Sequence, residues 1–376
     1  MKVLHINHGK MFGGVESVLV TLARQSSLCR EMKPAFALCA TGRLSDELKS
    51  AGMPVFILGD VRASRWWTIG KARRRLRALL QQEAFDAVIC HMPWNHAVFG
   101  PEVKRAGTPL IFWQHGLASG SGWLERWASQ TRPDLAISNS EFTATTLRFL
   151  FPDVPKHIVH CPVESNLAGA DRESVRRKLG ASPEQVVILQ VSRIEACKGH
   201  AVHLRALAEL KADPRWTCWM VGGVQQKSEQ DLLAQLKAQA AELGIADRVV
   251  FAGQASNVAE ILRAADIFCQ PNEAAEGFGI TFVEAMAAGL PVVATRLGAL
   301  PEIVTDREGF LLEPGDPHSL AGSLRFLIEN SEHRRTIGQN GPARAKLLCD
   351  PGTEIRKLYR YLQPLGAGSL HASVAG

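Results

Sequence analysis

Residues 272–291 read NEAAEGFGITFVEAMAAGLP, and this stretch decides how the whole chain is interpreted. Glu276 and Glu284 stand on either side of the Gly-Phe-Gly sequence at 277–279, which predicts a turn that opens a short helix. The Gly-Leu-Pro sequence at 289–291 predicts the end of that helix, and an apolar strand follows it. The stretch therefore predicts a helix with one carboxylate before its start and a second carboxylate within it.

Gly277, Phe278 and Gly279 precede the predicted helix, so the backbone N–H groups of its first turn lack helical partners. The positive end of a helix with such free N–H groups is an anion-binding site. The carboxylates of Glu276 and Glu284 can accept hydrogen bonds from hydroxyl groups on either side of a bound anion. A phosphate flanked by two polyols is the chemistry of a sugar nucleotide, and the stretch predicts a site for that class of ligand.

The composition predicts a soluble, two-domain protein. The chain has 376 residues, of which 46% are hydrophobic and 21% are charged. No uninterrupted apolar run reaches the length of a membrane span, and the N-terminus passes directly into a strand pattern without the features of a signal peptide. The eight cysteines form no C-x-x-C pair, which is typical of free thiols in a reducing compartment. We therefore expect a cytoplasmic protein.

Two series of short apolar runs alternate with amphipathic helical patterns, which predicts an α/β fold with parallel sheets covered by helices. The strands of the first series are predicted at 2–7, 35–40, 55–58, 87–90, 110–113 and 135–138. Those of the second series are predicted at 186–191, 216–221, 249–251, 267–269, 292–294 and 310–312. The polar stretch 165–171 between the two series is the predicted linker.

The region 248–304 resembles the donor-binding region of retaining GT-B glycosyltransferases of family 4. The resemblance rests on the spacing of Glu276 and Glu284 together with the flanking sequences Phe-Ala-Gly at 251–253 and Gly-Ala-Leu-Pro-Glu-Ile-Val at 298–304. It implies the GT-B fold, in which two Rossmann-like parallel-sheet domains face each other across a cleft.

The resemblance also implies a division of the chain. An acceptor-side domain is expected at 1–165 and a nucleotide-sugar donor domain at 166–350. A C-terminal helix at 351–365 would cross back to the first domain, and the Gly/Ser/Ala-rich tail at 366–376 is expected to be disordered.

The family assigns separate roles to the two glutamates. Glu284 resembles the glutamate that binds the ribose hydroxyls, and Glu276 resembles the one beside the transferred sugar. Glu273 is a rival carboxylate for the second role, because its surroundings depart from the commoner motif. The backbone of residues 277–279 would contact sugar or phosphate, where larger side chains would obstruct the approach.

Two cations are expected to stabilise the diphosphate. No Asp-x-Asp metal-binding motif occurs in the sequence, so fixed positive charges are the alternative to a divalent ion. Arg193 and Lys198 follow a predicted strand and resemble the family's Arg-Leu-x-x-x-Lys-Gly element, whose Arg and Lys contact the diphosphate. Taken alone, these are two surface cations after a strand; together with Glu276 and Glu284 they favour a binding site without a metal.

In the first half, Gly14 lies in a Gly-Gly pair that resembles the family's glycine-rich first loop. A glycine amide of that loop reaches the donor phosphate in the family, although a plain tight turn explains the same residues. The residues that follow, Val15, Glu16 and Ser17, are expected to face the acceptor side.

His115 follows the predicted strand 110–113 and resembles the family's active-site histidine beneath the donor sugar. Four other histidines lie near predicted strand ends, namely His5, His8, His91 and His96. A metal cluster among them is conceivable, but no ligand spacing supports one, so each is interpreted as an ordinary core or cleft histidine.

The segment 62–77 contains seven basic residues and no acidic one. A helix here would place arginines opposite its apolar face, which fits either a peripheral contact with an anionic membrane or the solvated face of an ordinary helix. The candidate membrane patch comprises Trp66, Trp67, Arg73, Arg74 and Arg75.

These features and the family resemblance together imply a metal-independent hexosyltransferase that uses a UDP- or GDP-sugar and no cofactor, and the resemblance alone implies retention of anomeric configuration. The catalytic candidates are His115, Glu276, Arg193 and Lys198. The acceptor, which is not readable from the sequence, is a glycan, a lipid-linked molecule or a small molecule, and no nucleic-acid partner is expected. The alternatives are a GT-B-type nucleotide-sugar epimerase or hydrolase and a non-catalytic sugar-nucleotide-binding protein. A dinucleotide-dependent dehydrogenase is excluded because the first loop lacks G-x-G-x-x-G.

Overall fold

The computed structural model describes residues 1–164, 171–224, 226–255 and 257–372. The chain forms two compact units, one made of Met1–Val163 with Cys349–Gly376 and the other of Glu164–Leu348. The predicted linker at 165–171 lies outside the described residues except for Asp171, whose carboxylate accepts a hydrogen bond from the backbone N–H of Glu173 at 3.1 Å. Asp171 thereby caps the first helix of the second unit.

The first unit is built on a seven-stranded parallel sheet, whose strands in spatial order are β3-β2-β1-β4-β5-β6-β7. These strands are β1 (Lys2–Asn7), β2 (Lys33–Leu38), β3 (Val55–Ile57), β4 (Ala87–His91), β5 (Leu110–Gln114), β6 (Leu135–Ser138) and β7 (Lys156–Ile158). The central strands are buried along their length, as expected for a parallel sheet covered on both faces.

Helices follow the strands of this sheet along the described part of the chain. They are α1 (Gly14–Arg24), α2 (Arg43–Ser50), α3 (Trp66–Gln82), α4 (Met92–Arg105), α5 (Trp123–Ser129) and α6 (Glu141–Thr146). Helix α3 buries Ala72, Leu76 and Leu79, which recur at helical spacing, and leaves most of its charged residues in solvent. Its apolar stripe joins the core formed by strands β1, β2 and β4.

The second unit contains a six-stranded parallel sheet with the spatial order β10-β9-β8-β11-β12-β13. The strands are β8 (Val186–Val191), β9 (Trp216–Val221), β10 (Val249–Gly253), β11 (Ile267–Gln270), β12 (Val292–Thr295) and β13 (Gly309–Leu312). One face of the sheet packs its apolar side chains against the flanking helices in a continuous core. The order of these six strands repeats that of β3-β2-β1-β4-β5-β6 in the first unit.

Helices also accompany the second sheet. They are α7 (Arg172–Lys178), α8 (His200–Ala208), α9 (Lys227–Glu242), α10 (Val258–Ala264), α11 (Ile280–Ala287), α12 (Leu300–Ile303), α13 (Pro317–Glu329) and α14 (Ser331–Cys349). The last helix, α15 (Pro351–Ala372), belongs to the first unit. There the carboxylate of Glu354 accepts a hydrogen bond from the backbone N–H of His160 at 2.6 Å, and the ring of Tyr361 stacks on that of His157.

The predicted fold class, two parallel-sheet α/β domains, is confirmed. Helix α15 continues through Ala372, so part of the segment expected to be a disordered tail is helical, and residues 373–376 lie outside the described part of the chain. Among the described helices, none is both long and apolar enough to cross a lipid bilayer.

Candidate functional site

In the second unit, the strand order reverses between β8 and β11, because the chain moves outward through β9 and β10 and then returns to the other side of β8. Ligands of open parallel sheets bind beyond the carboxyl ends of the strands at such a reversal. The loops at 192–199 and 271–279 leave β8 and β11 at this point. These loops carry Arg193, Lys198 and Glu276, so the topology brings the predicted residues to one edge of the sheet.

Lys198 and Glu276 form an ion pair at this edge. The distance from Lys198 Nζ to Glu276 Oε2 is 2.6 Å, and the two side chains are 20% and 19% exposed. Asn272 donates a second hydrogen bond from Nδ2 to the same carboxylate oxygen at 3.1 Å. Because the pair is largely shielded from solvent, its geometry is fixed more firmly than that of an exposed ion pair.

Two glycines allow the loop that carries Glu276 to lie close to its neighbours, one in the loop after β8 and the other in the loop after β12. Gly199 has a φ of +70°, and a Cβ atom there would lie 1.7 Å from the carbonyl oxygen of Pro271. Gly298 has a φ of +64°, and a Cβ atom there would lie 2.2 Å from the carbonyl oxygen of Glu276, which accepts a hydrogen bond from the backbone N–H of Ala299 at 2.9 Å. Any larger residue at either position would separate the loops and displace Glu276.

Arg193 has different acidic partners from those of Lys198. Its Nη1 lies 2.7 Å from Glu195 Oε1 and 3.8 Å from Oε1 of Glu229, a buried residue in the first turn of α9. The Arg193 side chain nevertheless remains partly exposed. The two carboxylates orient the guanidinium group while part of its surface stays available to a ligand.

A neutral polar network lies beneath the loop that carries both cations. The side chain of Gln190 donates from Nε2 to the carbonyl oxygen of Lys198 at 2.9 Å, and its Oε1 lies 2.8 Å from Nδ1 of His203. His200 Nε2 lies 3.3 Å from the hydroxyl of Ser192. Burial lowers the pKa of His203 to about 3 and that of His200 to about 4, so both rings are neutral at pH 7. The network fixes the loop without adding charge.

Glu284 lies in α11, between Val283 and Ala285, both of which are fully buried. Its own side chain is half-buried and has no hydrogen-bond or ion-pair partner in the described part of the chain. Burial raises the pKa of its carboxyl group to about 7. An unpaired carboxyl group in such surroundings is costly for folding and is typical of a site that awaits a hydrogen-bond donor.

The turn at residues 277–279 leads directly into the first turn of α11. Gly279 is the residue before the helix and has a φ of +89°, while the side chain of Phe278 is buried and Gly277 is also buried. Glu273, the rival carboxylate, is exposed, and its backbone N–H donates to the carbonyl oxygen of Cys197 at 2.9 Å. The backbone of Glu273 therefore links the two loops.

In the first unit, the corresponding reversal lies between β1 and β4. Helix α1 begins at Gly14, and the Glu16 side chain accepts a hydrogen bond from the backbone N–H of Gly13 at 3.0 Å. Glu16 thus closes the start of its own helix. Val15 and Ser17, the other residues expected on the acceptor side, are half-buried in the first turn of α1.

His115 follows β5 and belongs to a chain of histidine rings that the sequence did not predict. His91 Nδ1 lies 2.9 Å from His115 Nε2, and His5 Nδ1 lies 3.0 Å from His91 Nε2. His96 stands apart from this chain, with its Nε2 2.7 Å from the carbonyl oxygen of Thr131. The available signal was that β1, β4 and β5 are neighbours in the sheet and that each carries a histidine in its last residues or just beyond them.

Over the described ranges, no group of three or more histidine, cysteine, aspartate or glutamate residues has a geometry that could hold a metal ion. The three rings are therefore joined by nitrogen–nitrogen hydrogen bonds rather than arranged around a common centre. Burial lowers the pKa of His5 and of His115 to about 3 and that of His91 well below its ordinary value. All three rings are neutral at pH 7.

Only some residues of the candidate membrane patch on α3 have side chains that are free to contact a surface. Trp66 and Trp67 are 76% and 57% exposed. Arg73, however, donates from Nε to the carbonyl oxygen of Val98 at 2.6 Å, and Arg75 donates to that of Leu58 at 3.0 Å. These two guanidinium groups donate to backbone carbonyls of their own unit, while Arg74 is exposed.

Sequence reasoning missed three supporting residues of the second unit. Asn272 shares the carboxylate of Glu276 with Lys198, Glu229 accompanies Arg193, and Gln190 supports the loop that joins the two cations. Asn272 and Gln190 could have been found, because polar residues at the carboxyl ends of buried strands are typical of ligand sites. Glu229 could not, because a glutamate in the first turn of a helix is ordinary.

Comparison with known proteins adds independent findings. The family model described as Glycosyltransferase Family 4 matches residues 12–167, and that described as Glycosyl transferases group 1 matches residues 171–344. The chain is 29% identical over 319 residues to a D-inositol 3-phosphate glycosyltransferase of Segniliparus rotundus, with 78% of this chain and 70% of the relative covered. It is 30% identical over 290 residues to D-inositol 3-phosphate glycosyltransferase 2 of Catenulispora acidiphila, with 71% and 68% covered.

Among solved structures, the chain is similar to that of Anabaena HepE in complex with UDP-glucose. The TM-score is 0.85 at 25% sequence identity, and the alignment covers 97% of this chain and 100% of the HepE chain. The two α/β units of this chain, each with a parallel sheet, match those of GT-B glycosyltransferase structures.

Proposed function

Because the chain belongs to glycosyltransferase family 4, we propose that it transfers a hexose from a nucleotide-diphosphate sugar to an acceptor, with retention of anomeric configuration and without a metal ion. The observation that carries this proposal is the Lys198–Glu276 pair at the strand reversal of the second unit. A fixed cation beside a fixed carboxylate suits a ligand in which an anionic diphosphate is joined to a neutral polyol.

The cations stabilise the leaving group. When the bond between the sugar and the diphosphate breaks, negative charge develops on the departing phosphate oxygens, and preorganised positive charge lowers the free energy of that transition state. Lys198 supplies a compact ammonium group, and Arg193 supplies a planar group held by Glu195 and Glu229. These two side chains take the place that a divalent ion occupies in enzymes with an Asp-x-Asp motif.

Hydrogen-bond acceptors position the rest of the donor. Glu276, held by Lys198 and Asn272, accepts hydrogen bonds from the sugar hydroxyls. Glu284, which has no partner in the described part of the chain, accepts those of the ribose. The backbone at Gly277, Phe278 and Gly279 provides N–H groups at the start of α11.

The roles in the first unit rest on the family resemblance. His115 contributes a hydrogen bond to the reacting sugar, and the backbone N–H of Gly14 contributes one to the donor phosphate. Both residues follow strands at the carboxyl edge of the first sheet, which is where parallel sheets bind ligands. Val15, Glu16 and Ser17 are proposed for the acceptor side.

We propose UDP as the nucleotide, because the structure of HepE, one of the solved proteins similar to this chain, is a complex with UDP-glucose; GDP is the alternative. The test is calorimetric titration of the purified protein, with a metal chelator present, against UDP, GDP, ADP and their hexose conjugates. Binding of UDP with the chelator present supports the proposal, and binding only after a divalent ion is restored contradicts metal independence. Preference for GDP would replace UDP as the proposed nucleotide and leave the rest of the proposal unchanged.

Product analysis separates transfer from the alternative reactions. Incubation of the UDP-hexose with inositol phosphate and with lipid-linked glycans, followed by mass spectrometry and NMR of the product, shows whether a glycoside forms and with which anomeric configuration. An α-linked product from an α-linked donor supports retention. Release of free sugar or of an epimerised nucleotide sugar in place of a glycoside would identify a hydrolase or an epimerase.

We also propose that α3 contacts an anionic membrane surface. The observation that favours it is the pair of exposed tryptophans, Trp66 and Trp67, beside the exposed cations Lys71 and Arg74. Tryptophan is suited to the headgroup region, and cations are attracted to anionic lipid. The acceptor would then be a lipid-linked molecule presented at that surface.

A further inference from the structure

The rings of His5, His91 and His115 form a continuous hydrogen-bonded chain across three neighbouring strand ends. The two nitrogen–nitrogen distances are 3.0 and 2.9 Å, and successive ring planes differ by 21° and 26°. His5 and His91 are fully buried. The nitrogen at the inner end of the chain, His5 Nε2, is buried and has no hydrogen-bond partner within the described residues.

Neutral rings leave this chain only two arrangements of hydrogens. Each neutral imidazole carries one N–H, and each nitrogen–nitrogen contact needs one N–H. If His5 carries its hydrogen on Nδ1, then His91 and His115 must each carry theirs on Nδ1 as well. If His91 carries its hydrogen on Nε2, then all three rings must be Nε2–H. The inner end of the chain therefore determines which nitrogen of His115 is protonated.

The buried environment of His5 selects between the two arrangements. The Nε2–H arrangement leaves an N–H group of His5 buried without an acceptor, whereas the Nδ1–H arrangement leaves only an unused lone pair. Buried N–H groups without partners are rarer than under-satisfied acceptors. His115 then carries its hydrogen on Nδ1, which has no hydrogen-bond partner in the described ranges and is free to donate to a ligand oxygen.

The backbone around His91 is also held in an uncommon conformation. Met92, the next residue, has a φ of +68°, and no other non-glycine residue in the described ranges has a positive φ. The carbonyl oxygen of His91 accepts a hydrogen bond from Asn95 Nδ2 at 2.5 Å. A strained residue persists where its surroundings fix it, and such residues cluster at functional sites.

We propose that His5 and His91 are positioning residues that hold His115 in the Nδ1–H form, so that its ring donates a hydrogen bond to an oxygen of the bound sugar nucleotide. This inference rests on the proposed function for the identity of the ligand. The tautomer itself is a property of the free protein and is measurable without any donor.

The first test is long-range ¹H–¹⁵N NMR of the full-length wild-type protein labelled with ¹⁵N-histidine at pH 7, with His115→Gln used to assign the signal. The expected spectrum shows His115, His91 and His5 all as Nδ1–H tautomers. A wild-type spectrum with His115 as the Nε2–H tautomer or as the imidazolium would overturn the proposal, whatever any variant does.

The second test compares His91→Phe with His96→Phe. His91→Phe keeps a ring against Trp113 but removes both links of the chain, whereas His96 is equally buried and lies outside it. We expect His91→Phe to lose the fixed Nδ1–H form of His115 and to lower kcat about tenfold, the effect of one hydrogen bond, with UDP affinity unchanged. His96→Phe should leave the tautomer unchanged. The proposal fails if both variants change the His115 signal alike; if the tautomers are as expected but no sugar is transferred, only the proposed function fails.

Discussion

The carboxyl edges of the two sheets have the same topology and opposite chemistry. In both units the strand order reverses beside the first strand. In the second unit this edge carries ion pairs, with Lys198 bound to Glu276 and Arg193 bound to Glu195. In the first unit it carries neutral, hydrogen-bonded rings that end at His115.

The difference shows that the fold determines where a ligand site lies and the side chains determine what it can bind. An edge with fixed charges suits the ionic part of a substrate, because it offers strong fields that water only partly screens. An edge of neutral rings suits the polar but uncharged part, where a directed hydrogen bond selects orientation.

The largest effect on activity is expected for loss of a positive charge at the carboxyl edge of the sheet in the second unit. Lys198→Met removes the ammonium group and keeps most of the side-chain volume, so kcat/KM should fall roughly 10²–10³-fold, as for other lost transition-state donors. The affinity for UDP should fall more than that for uridine. Steady-state kinetics and calorimetry measure both effects.

The matched control for this variant is Lys237→Met, at an exposed position of α9 away from the strand reversal. His115→Gln, at the first edge, should slow transfer but leave UDP affinity within about twofold. Equal loss of UDP and uridine binding in Lys198→Met would contradict the division of labour between the two edges.

Glu276→Gln sharpens the comparison within the second edge. The variant should lower kcat about a hundredfold, since a carboxylate accepts hydrogen bonds from hydroxyls more strongly than an amide does. UDP itself should bind as tightly as before or more tightly, because Lys198 is released from its ion pair. Weaker binding of UDP would show that the pair must stay intact for the phosphate to bind.

Because the pKa of Glu284 is raised, we expect the free energy of unfolding to depend on pH. Burial raises its pKa in the folded protein from 4.5 to about 7, so between these values the folded state holds a proton that the unfolded state has lost. Its contribution therefore lowers the free energy of unfolding as the pH rises from 4.5 to 7. Relative to wild type, Glu284→Gln should gain roughly 3 kcal/mol in the free energy of unfolding between pH 4.5 and pH 8.

Chemical denaturation at several pH values measures this difference. Glu273→Gln, which removes an exposed carboxylate from the same stretch, is the control for loss of charge alone. A gain that is the same for both variants or independent of pH would show that the Glu284 carboxyl group is not desolvated.

The smallest effect is expected at α3. The double change Trp66→Ser and Trp67→Ser should reduce sedimentation with anionic vesicles about tenfold, and Arg74→Gln should reduce it about fivefold, since each cation near such a surface contributes about 1 kcal/mol. Trp123→Ser, which removes another exposed tryptophan of the first unit, is the control. Unchanged sedimentation of these variants would show that α3 is an ordinary surface helix that does not contact the membrane.

The sequence was sufficient to predict the fold class and the strands that end at the site, because buried parallel strands are continuous apolar runs. Helix α4 is harder to recognise, because it contains Pro101 in its interior and buries residues on every side, so that neither amphipathic spacing nor helix propensity indicates it. The sequence did not predict β7, a three-residue strand that contains lysine and histidine.

The sequence predicted candidate residues for the site, but it did not predict the contacts between them. Lys198 and Glu276 are 78 residues apart, and their pairing depends on the neighbouring positions of β8 and β11 and on the absence of a side chain at Gly199. The histidine chain depends on the order of three strands. Such non-local contacts leave no spacing pattern in the sequence, because they are set by the sheet rather than by one element.

Helix α15 makes the second unit an insertion within the first. Strands β1 to β7 are all synthesised before residue 164, yet the helix that covers His157 and bonds to His160 is synthesised only after the whole second unit. A ribosome therefore completes the inner unit while the outer one still lacks its last element. A chain interrupted after α14 would contain every residue proposed here for binding and catalysis, and still present an uncovered face on its first unit to chaperones and proteases.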